Sequence, residues 1–592
     1  RQQPVRKERW LGRRGWHPRW LPAAVAALLA ALVLVGLAAT GPGQHLRSRL
    51  ARTHATRSEL DSARLTTLLA RSGELVVQPP GAETLAAPVS ARQLAPAGRC
   101  PELELAGRQL PAAELPSSRL APSPWRDAGP PLVSLWLDPC RNARIHSRPW
   151  LPGRETEETG WVSFFESGEL QFAAPVGIRI HGGVSRRYAP YGYRLSFRSE
   201  HGTAGLPGGL VAPELERPPA PVQPLARVLV TEGDDEDTDG SVWAFPGEVA
   251  YEIGRALGAE APRTRPVWFS LNGGPAALYS LSEHIDADFL RRHYGHDDFE
   301  LHRGKRDPDD PRRESEESDR FWAGELAWIA AAPAPFTRQV AAARYDLDKL
   351  TTWLVTVLFC GTGDIYQEAM VRDRRGELAA GRWTWIHWDH DMSFRTPPKN
   401  SRFGNKRDLL PYVLDNQREI RSPQQALMLR LVEEDPEFRT ELVRRTTAAL
   451  NHQLTPEYLE SLVARYEETA KSLGVTDLDW VAKLRDYFAW RPDAIRTQLQ
   501  KMLGAGAPMA VELSAPTGTV RVDGFGIGAS GVSYTGTYPA GVVLEAEVEP
   551  AARDRFLRWE ISTTPPIAAP ATSPTLRFTV WGPARIQARF RD

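Results

Sequence analysis

No charge of either sign dominates this chain: its 592 residues carry 73 Lys plus Arg against 73 Asp plus Glu. Such a balance offers no global field to gather nucleic acid, and the basic clusters that exist are local. Cysteine is sparse, at three residues. Cys100 and Cys140 flank a proline-rich connection and could pair in an oxidising compartment, whereas Cys360 sits inside an apolar run and reads as buried. A calcium loop is also lacking. Asp235, Asp237, Asp239 and Gly240 open like one, but the twelfth position is Pro246, where a bidentate Glu is needed. The stretch reads instead as a solvated acidic loop, with an irregular calcium site as the alternative.

One apolar run has the length of a bilayer span. Leu21 to Gly41 holds no charged residue, and Arg1, Arg6, Lys7, Arg9, Arg13, Arg14 and Arg19 precede it against a single Glu8. That bias keeps the N-terminus in the cytoplasm and sends the rest of the chain across the membrane. An uncleaved anchor is the expectation, and a signal peptide cleaved near Leu37 to Thr40 is its rival. The chain is then organised as a basic tail (1–20), a transmembrane helix (21–41), a stalk and Pro/Ala-rich linker (42–131), a large mixed domain (132–504) and a small β-sandwich-like domain (508–592) with Trp559 in its core.

The chemistry gathers in Arg382 to Phe394, RWTWIHWDHDMSF. As a strand, it places Trp383, Trp385, His387, Asp389 and Asp391 on one face. Two close carboxylates raise each other's pKa unless a cation lies between them, and Mg2+ takes such hard oxygen ligands. A divalent metal is therefore expected; the alternative is the solvated end of a tryptophan-rich strand. Upstream, Lys349 to Gly361 reads as a buried helix stopped by glycine, which leaves Asp364 on a loop at the mouth of the core. Glu368 to Arg372, a turn at Arg375 and Gly376, and the Trp-rich strand make a hairpin. An Asp on a loop, a hairpin, then an Asp pair at a strand end is how kinase-like folds order their base and metal ligands.

Earlier in the chain the period is that of strands. Leu132 to Leu137 is a buried strand, and Trp161 to Phe172 is a hairpin turning at Ser167 and Gly168. Gly177 to His181 runs into Gly182, Gly183, Val184, Ser185, Arg186 and Arg187, and a second strand follows at Tyr193 to Arg198. Such a glycine loop can lie over phosphates because no Cβ keeps the backbone N–H groups away; the alternative is an ordinary turn with solvated arginines. A helix opens at Pro246, a hairpin turns at Asn272-Gly273, and Glu283 stands at a strand end, where it either pairs with a cation or caps the next helix. Lys406 to Gly504 is mainly helical, with starts at Ser422-Pro423 and Thr455-Pro456.

Together LVSLWLDP, GIRIHGGVSRR, YRLSFR, SLNGGPAALYSLSEHIDADFL, GTGDIYQEAM and WIHWDHDMSF, in this order, resemble the spore-coat protein H (CotH) kinase-like family over about Leu132 to Gly504. The resemblance implies an α+β fold with an atypical protein-kinase-like two-lobed core. It also implies ATP as phosphate donor, Mg2+ or Mn2+ as cofactor and Ser or Thr of a protein as acceptor. Carried over by motif, Asp364 accepts the acceptor's hydroxyl proton or orients the acceptor, and Asp389 with Asp391 beside it matches the family's metal-binding WDxD. Gly182, Gly183 and Ser185 cover phosphates, and Glu283 matches a glutamate before a helix. Three departures follow. Lysines usual before the family's YR are replaced by Ala189, Pro190, Tyr191 and Gly192, leaving Arg186, Arg187 or Arg194 to supply charge, with a different reach. Ala369 stands where a metal-binding Asn is usual, which leaves Glu368 or Gln367 as the candidates to serve instead. His387 stands where an apolar residue or proline is usual.

The expected function is a membrane-anchored, extracytoplasmic phosphotransferase acting on an envelope or surface protein, with no nucleic-acid partner. The alternative is a surface binding or structural protein on a catalytically degenerate kinase scaffold.

Overall fold

A computed structural model of the chain describes residues 76–78, 117–119 and 131–591. Within the last range, 212–223, 233–244, 304–315, 395–408, 415–421, 528–532, 565–570 and some shorter stretches lie outside the description, Asp364 and Gln367 among them. The apolar run Leu21 to Gly41, the stalk, the acidic loop and the Cys100–Cys140 pairing therefore fall outside it. Among the described residues no helix is long and apolar enough to cross a membrane.

Two short strands within the proline-rich stretch, β1 (Val76–Gln78) and β2 (Ser117–Arg119), pair antiparallel. The first large element set begins with β3 (Leu132–Trp136), α1 (Pro139–Ser147), β4 (Glu158–Glu166), β5 (Glu169–His181), β6 (Gly192–Ser196) and β7 (Arg227–Glu232). It continues through α2 (Pro246–Ala256), β8 (Thr264–Leu271) and β9 (Ala277–Glu283). Alternate residues of these strands turn inward and form one core: Val133 and Leu135, Val162 and Phe164, Ile178 and Ile180, Tyr193 and Leu195, Val228 and Val230, Tyr279 and Leu281. The strands close into a barrel in the order β3-β4-β5-β6-β7-β9-β8, sealed by parallel pairing of β3 with β8. Two hairpins set its register. Ser167 (φ 51°) with Gly168 (φ 76°), and Asn272 (φ 52°) with Gly273 (φ 68°), are left-handed pairs whose twist suits tight antiparallel connections.

After the barrel come α3 (Ala287–Tyr294), β10 (Phe299–Arg303), α4 (Glu316–Ala331), α5 (Arg338–Ala342), α6 (Leu347–Cys360), β11 (Ala369–Asp373) and β12 (Trp383–Ile386). Strands β10, β11 and β12 form a separate antiparallel sheet. The expected hairpin is present, but its second strand is shorter than the Trp-rich pattern predicts. It ends at Ile386, and Asp389 adopts φ 62°, so His387, Asp389 and Asp391 do not alternate on one strand face.

Helix α6 is apolar on nearly all sides, because its whole circumference is buried, and Gly361 (φ 67°) stops it. Five further helices follow: α7 (Leu409–Val413), α8 (Pro423–Glu434), α9 (Pro436–Ala448), α10 (Pro456–Ser472) and α11 (Asp479–Leu503). Ser422 and Thr455 cap α8 and α10 with their hydroxyls, each before a proline in the first turn. The chain then forms β13 (Pro508–Ser514), β14 (Val520–Val522), β15 (Phe525–Gly526), β16 (Ser533–Pro539), β17 (Val543–Val548), β18 (Phe556–Thr563), β19 (Thr575–Thr579) and β20 (Ala584–Phe590). These make two four-stranded sheets, β16-β13-β20-β18 and β15-β14-β17-β19, and Trp559 is fully buried. One apolar cluster runs from α6 through α11 into these sheets.

Candidate active site

The fully buried end of α6 has carbonyls that no further turn of helix can satisfy. Side chains from α11 do so: Tyr487 Oη donates to Phe359 O at 2.8 Å, and Arg491 Nε to Leu358 O at 2.8 Å. Beyond Gly361 the backbone is laced to the loop after β12. Gly363 N donates to Met392 O at 3.3 Å and Phe394 N to Cys360 O at 2.6 Å. The segment leading to Asp364 and the segment carrying Asp389 and Asp391 therefore run side by side, although Asp364 itself lies outside the described residues.

A third wall is α2. The Asp389 amide donates to the Tyr251 hydroxyl at 3.0 Å, and a Cβ placed on Gly247 would stand 3.8 Å from Asp391 N. Burial raises the Tyr251 pKa far above its ordinary value, and the carboxylates of Asp389, Asp391 and Glu368 raise it further. The phenol remains a neutral hydrogen-bonding post.

Glu368 and His387 are buried on the inner side of the same loop, with His390. Glu368 Oε1 accepts from Trp353 Nε1 at 2.8 Å and lies 3.5 Å from His390 Nε2. His390 Nε2 is 3.1 Å from His387 Nδ1, and His390 Nδ1 is 3.2 Å from Thr362 Oγ1, which in turn meets Ser393 Oγ at 2.8 Å. Burial raises the Glu368 pKa against the pull of His390, and burial together with the His390 charge pushes His387 well below its ordinary value. Glu368, expected as a metal ligand beside the aspartates, is thus turned toward two histidines. His387, which departs from the family pattern, is one of them.

The glycine loop links β5 to β6. Gly182 adopts φ 117°, and a Cβ there would meet Ser185 Oγ at 2.1 Å, so only glycine permits the turn. Ser185 and Arg187 lie in a short 3-10 turn, Val184–Arg187. Arg186 is committed to the loop itself: Nε donates to Gly182 O at 2.6 Å and Nη1 to Leu151 O at 2.9 Å. Arg194 on β6 is buried and donates to His284 Nε2 at 2.8 Å, as does Arg303 at the end of β10, also at 2.8 Å. Asp286 Oδ2, 3.2 Å from His284 Nδ1, completes the set, and with Nε2 accepting two bonds the proton belongs on Nδ1.

Glu283 faces elsewhere. It is fully buried, accepts from Arg263 N at 2.8 Å, and lies 2.9 Å from His293 Nε2 and 3.4 Å from Arg292 Nε. Although burial alone would raise its pKa, the bond from His293 lowers it overall. Nor does Glu283 cap α3: Asp286 does, accepting from Asp288 N and Phe289 N. His284, Arg303, His390 and Tyr251 were not singled out by sequence reasoning. His284 and His390 lay inside the quoted motifs SEHID and WDHD, whereas nothing local marks Arg303 or Tyr251.

Trp388 joins the two halves. Its ring packs edge-on against His181, with centroids 6.1 Å apart, and against His284 at 6.4 Å. His181 precedes Gly182 and Trp388 precedes Asp389, so the glycine loop, the arginine pair and the aspartate loop meet around one indole. No curated protein matches the chain. A family model described as CotH kinase protein matches residues 178–501, from the last turn-ward residues of β5 to the end of α11 and just over half of the chain. The chain belongs to the CotH kinase protein family.

Proposed function

We propose that this chain is a metal-dependent phosphotransferase that moves the γ-phosphoryl group of ATP to a Ser or Thr hydroxyl of a protein in the cell envelope. The observation that supports this reading is the packing of Trp388, the chain neighbour of Asp389, against His181, the chain neighbour of Gly182, and against His284. Asp389 and Asp391 are the residues to hold Mg2+ or Mn2+, a hard cation suited to carboxylate oxygen, and such an ion would neutralise phosphate charge. Asp364 takes the proton of the acceptor hydroxyl as its oxygen bonds to the γ-phosphorus, the β–γ bridging bond breaks, and ADP leaves with that electron pair. Arg194, with Arg303 beside it on His284, supplies the positive charge that a lysine gives elsewhere in the family. Most of the rate gain in such a site comes from positioning and fixed charge.

The full chain with Mn2+ and labelled ATP should phosphorylate itself or an envelope protein, and Asp389→Ala should lose that labelling while keeping the wild-type far-UV spectrum. Equal labelling of the two proteins would refute the assignment. A second reading, a scaffold that binds without catalysis, draws on Arg186, whose guanidinium is held by backbone carbonyls of its own neighbourhood. ATP that raises the melting temperature only with Mn2+ supports the enzyme; no shift with either supports the scaffold. We further propose that Leu21 to Gly41 anchors the protein with its body outside the cytoplasm. A reporter active only outside the cytoplasm, fused after Asp592, should be active; silence would place the body inside.

A further inference from the structure

We propose that Glu368, His387 and His390 form a binding site for one divalent transition-metal ion of the Zn2+ type, distinct from the aspartate pair. This site stands independently of the phosphotransfer reading. The three side chains are almost wholly buried, with exposures of 1%, 2% and 1%. One donor atom from each lies within 4.8 Å of the other two. Ligands about 2.05 Å from a tetrahedral zinc stand about 3.3 Å from one another. Two of the three edges are close to that, 3.1 Å between the two imidazole nitrogens and 3.5 Å between His390 Nε2 and Glu368 Oε1, and the third, from His387 to Glu368, is within 4.8 Å.

The surroundings prepare the donors. Thr362 Oγ1 lies at His390 Nδ1 and is itself bonded to Ser393, so His390 can give its Nδ1 proton to Thr362 and keep the Nε2 lone pair for an ion. His387 needs only to carry its proton on Nε2 to offer Nδ1. Glu368 Oε2 is buried and meets no donor at full hydrogen-bond geometry among the described residues, the Trp388 amide being the backbone group that acts on this carboxylate, so an ion would relieve part of its burial cost.

Two imidazoles and one carboxylate select for zinc-like ions, whereas Mg2+ and Mn2+ favour the all-oxygen aspartates, so the two sites need not compete. Among the described residues a second convergent group, Glu157, Glu200 and His201, differs because Arg154 and Arg198 already neutralise its carboxylates. An ion on the buried triad would tie the residue before β11 to the middle of the loop bearing Asp389 and Asp391, fixing both.

The test uses the full chain, freed of any affinity tag, stripped with a chelator and titrated with Zn2+ or with Co2+ as an optical probe. One Zn2+ per chain should survive gel filtration, and Co2+ should give the intense visible bands of a tetrahedral site with nitrogen ligands. His387→Gln and His390→Gln should each weaken binding by at least about 100-fold, beyond what a second-layer change costs, and Asp389→Asn should leave it unchanged. Retention of no ion, the faint bands of an octahedral oxygen site, undiminished affinity in both histidine variants, or loss in Asp389→Asn would each overturn the proposal. Should a histidine variant fail to fold, the Co2+ spectrum of the wild-type chain decides by itself.

Discussion

Glu283 shows how a side chain expected at a nucleotide can be committed to its own surroundings. Its carboxylate is paired with His293 and Arg292 in full burial. Removing the charge as Glu283→Gln should cost about 2–3 kcal/mol at neutral pH, since a charge-assisted bond is lost and its partners stay buried. The folded pKa lies below the ordinary value of 4.5, so at acid pH the unfolded chain binds more protons than the folded one. The contribution is therefore complete above about pH 4.5 and disappears as pH falls through the folded value. Urea unfolding of the two proteins from pH 7 down to pH 3 checks this: the gap should be widest at pH 7 and close in acid. A gap that does not change with pH would exclude the charged pair. Sequence placed Glu283 correctly at a strand end; which neighbours it met there depended on Arg263, twenty residues away, and on the face of α3.

Among the elements, α6 is the best marked in the sequence and the most dependent on a distant partner. Its apolar composition and terminal glycine announce a buried helix. Its last carbonyls, however, are satisfied by Tyr487 and Arg491 on α11, more than a hundred residues later. Arg491 is fully buried and donates to Leu358 O, so Arg491→Leu should destabilise the fold by about 1–3 kcal/mol, the scale for leaving a buried carbonyl without its donor. Thermal melts give the comparison; a loss below about 1 kcal/mol would mean that the helix end finds other donors. The strand β12 teaches the opposite lesson. Alternating Trp383 and Trp385 announce it correctly, but it stops at Ile386, where His387 N turns to Glu260 O at 2.8 Å and Tyr251 takes the Asp389 amide. Local periodicity carries no record of those acceptors.

Over the whole molecule, the apolar cluster that begins in the helices does not stop at the C-terminal sheets. Asn451 and Thr537 exchange two hydrogen bonds across that boundary, both at 3.1 Å, and His452 stacks on Tyr534 with centroids 4.7 Å apart. Ending the chain at Gly504 should therefore lower the melting temperature and promote aggregation by baring apolar surface on α9 and its neighbours. A truncated chain that stays monomeric and melts as the full one does would show that the two parts are energetically separate. The sequence shift near Pro508 marked where strands begin, yet a change of period says nothing about whether two element sets share a core.

What the sequence determined by itself was local: the inward alternation of the barrel strands, the left-handed Asn272-Gly273 turn, the Ser422 and Thr455 caps, and the crowding of His387, Asp389, His390 and Asp391 into five residues. Each rests on bonds or side-chain directions spanning only a few positions. Tertiary structure alone decided that β3 and β8 close a barrel, that Trp388 packs between His181 and His284, and that Glu368 turns to His387 and His390. Those outcomes depend on which surfaces meet when residues tens to hundreds of positions apart are buried together, and no local pattern encodes that choice.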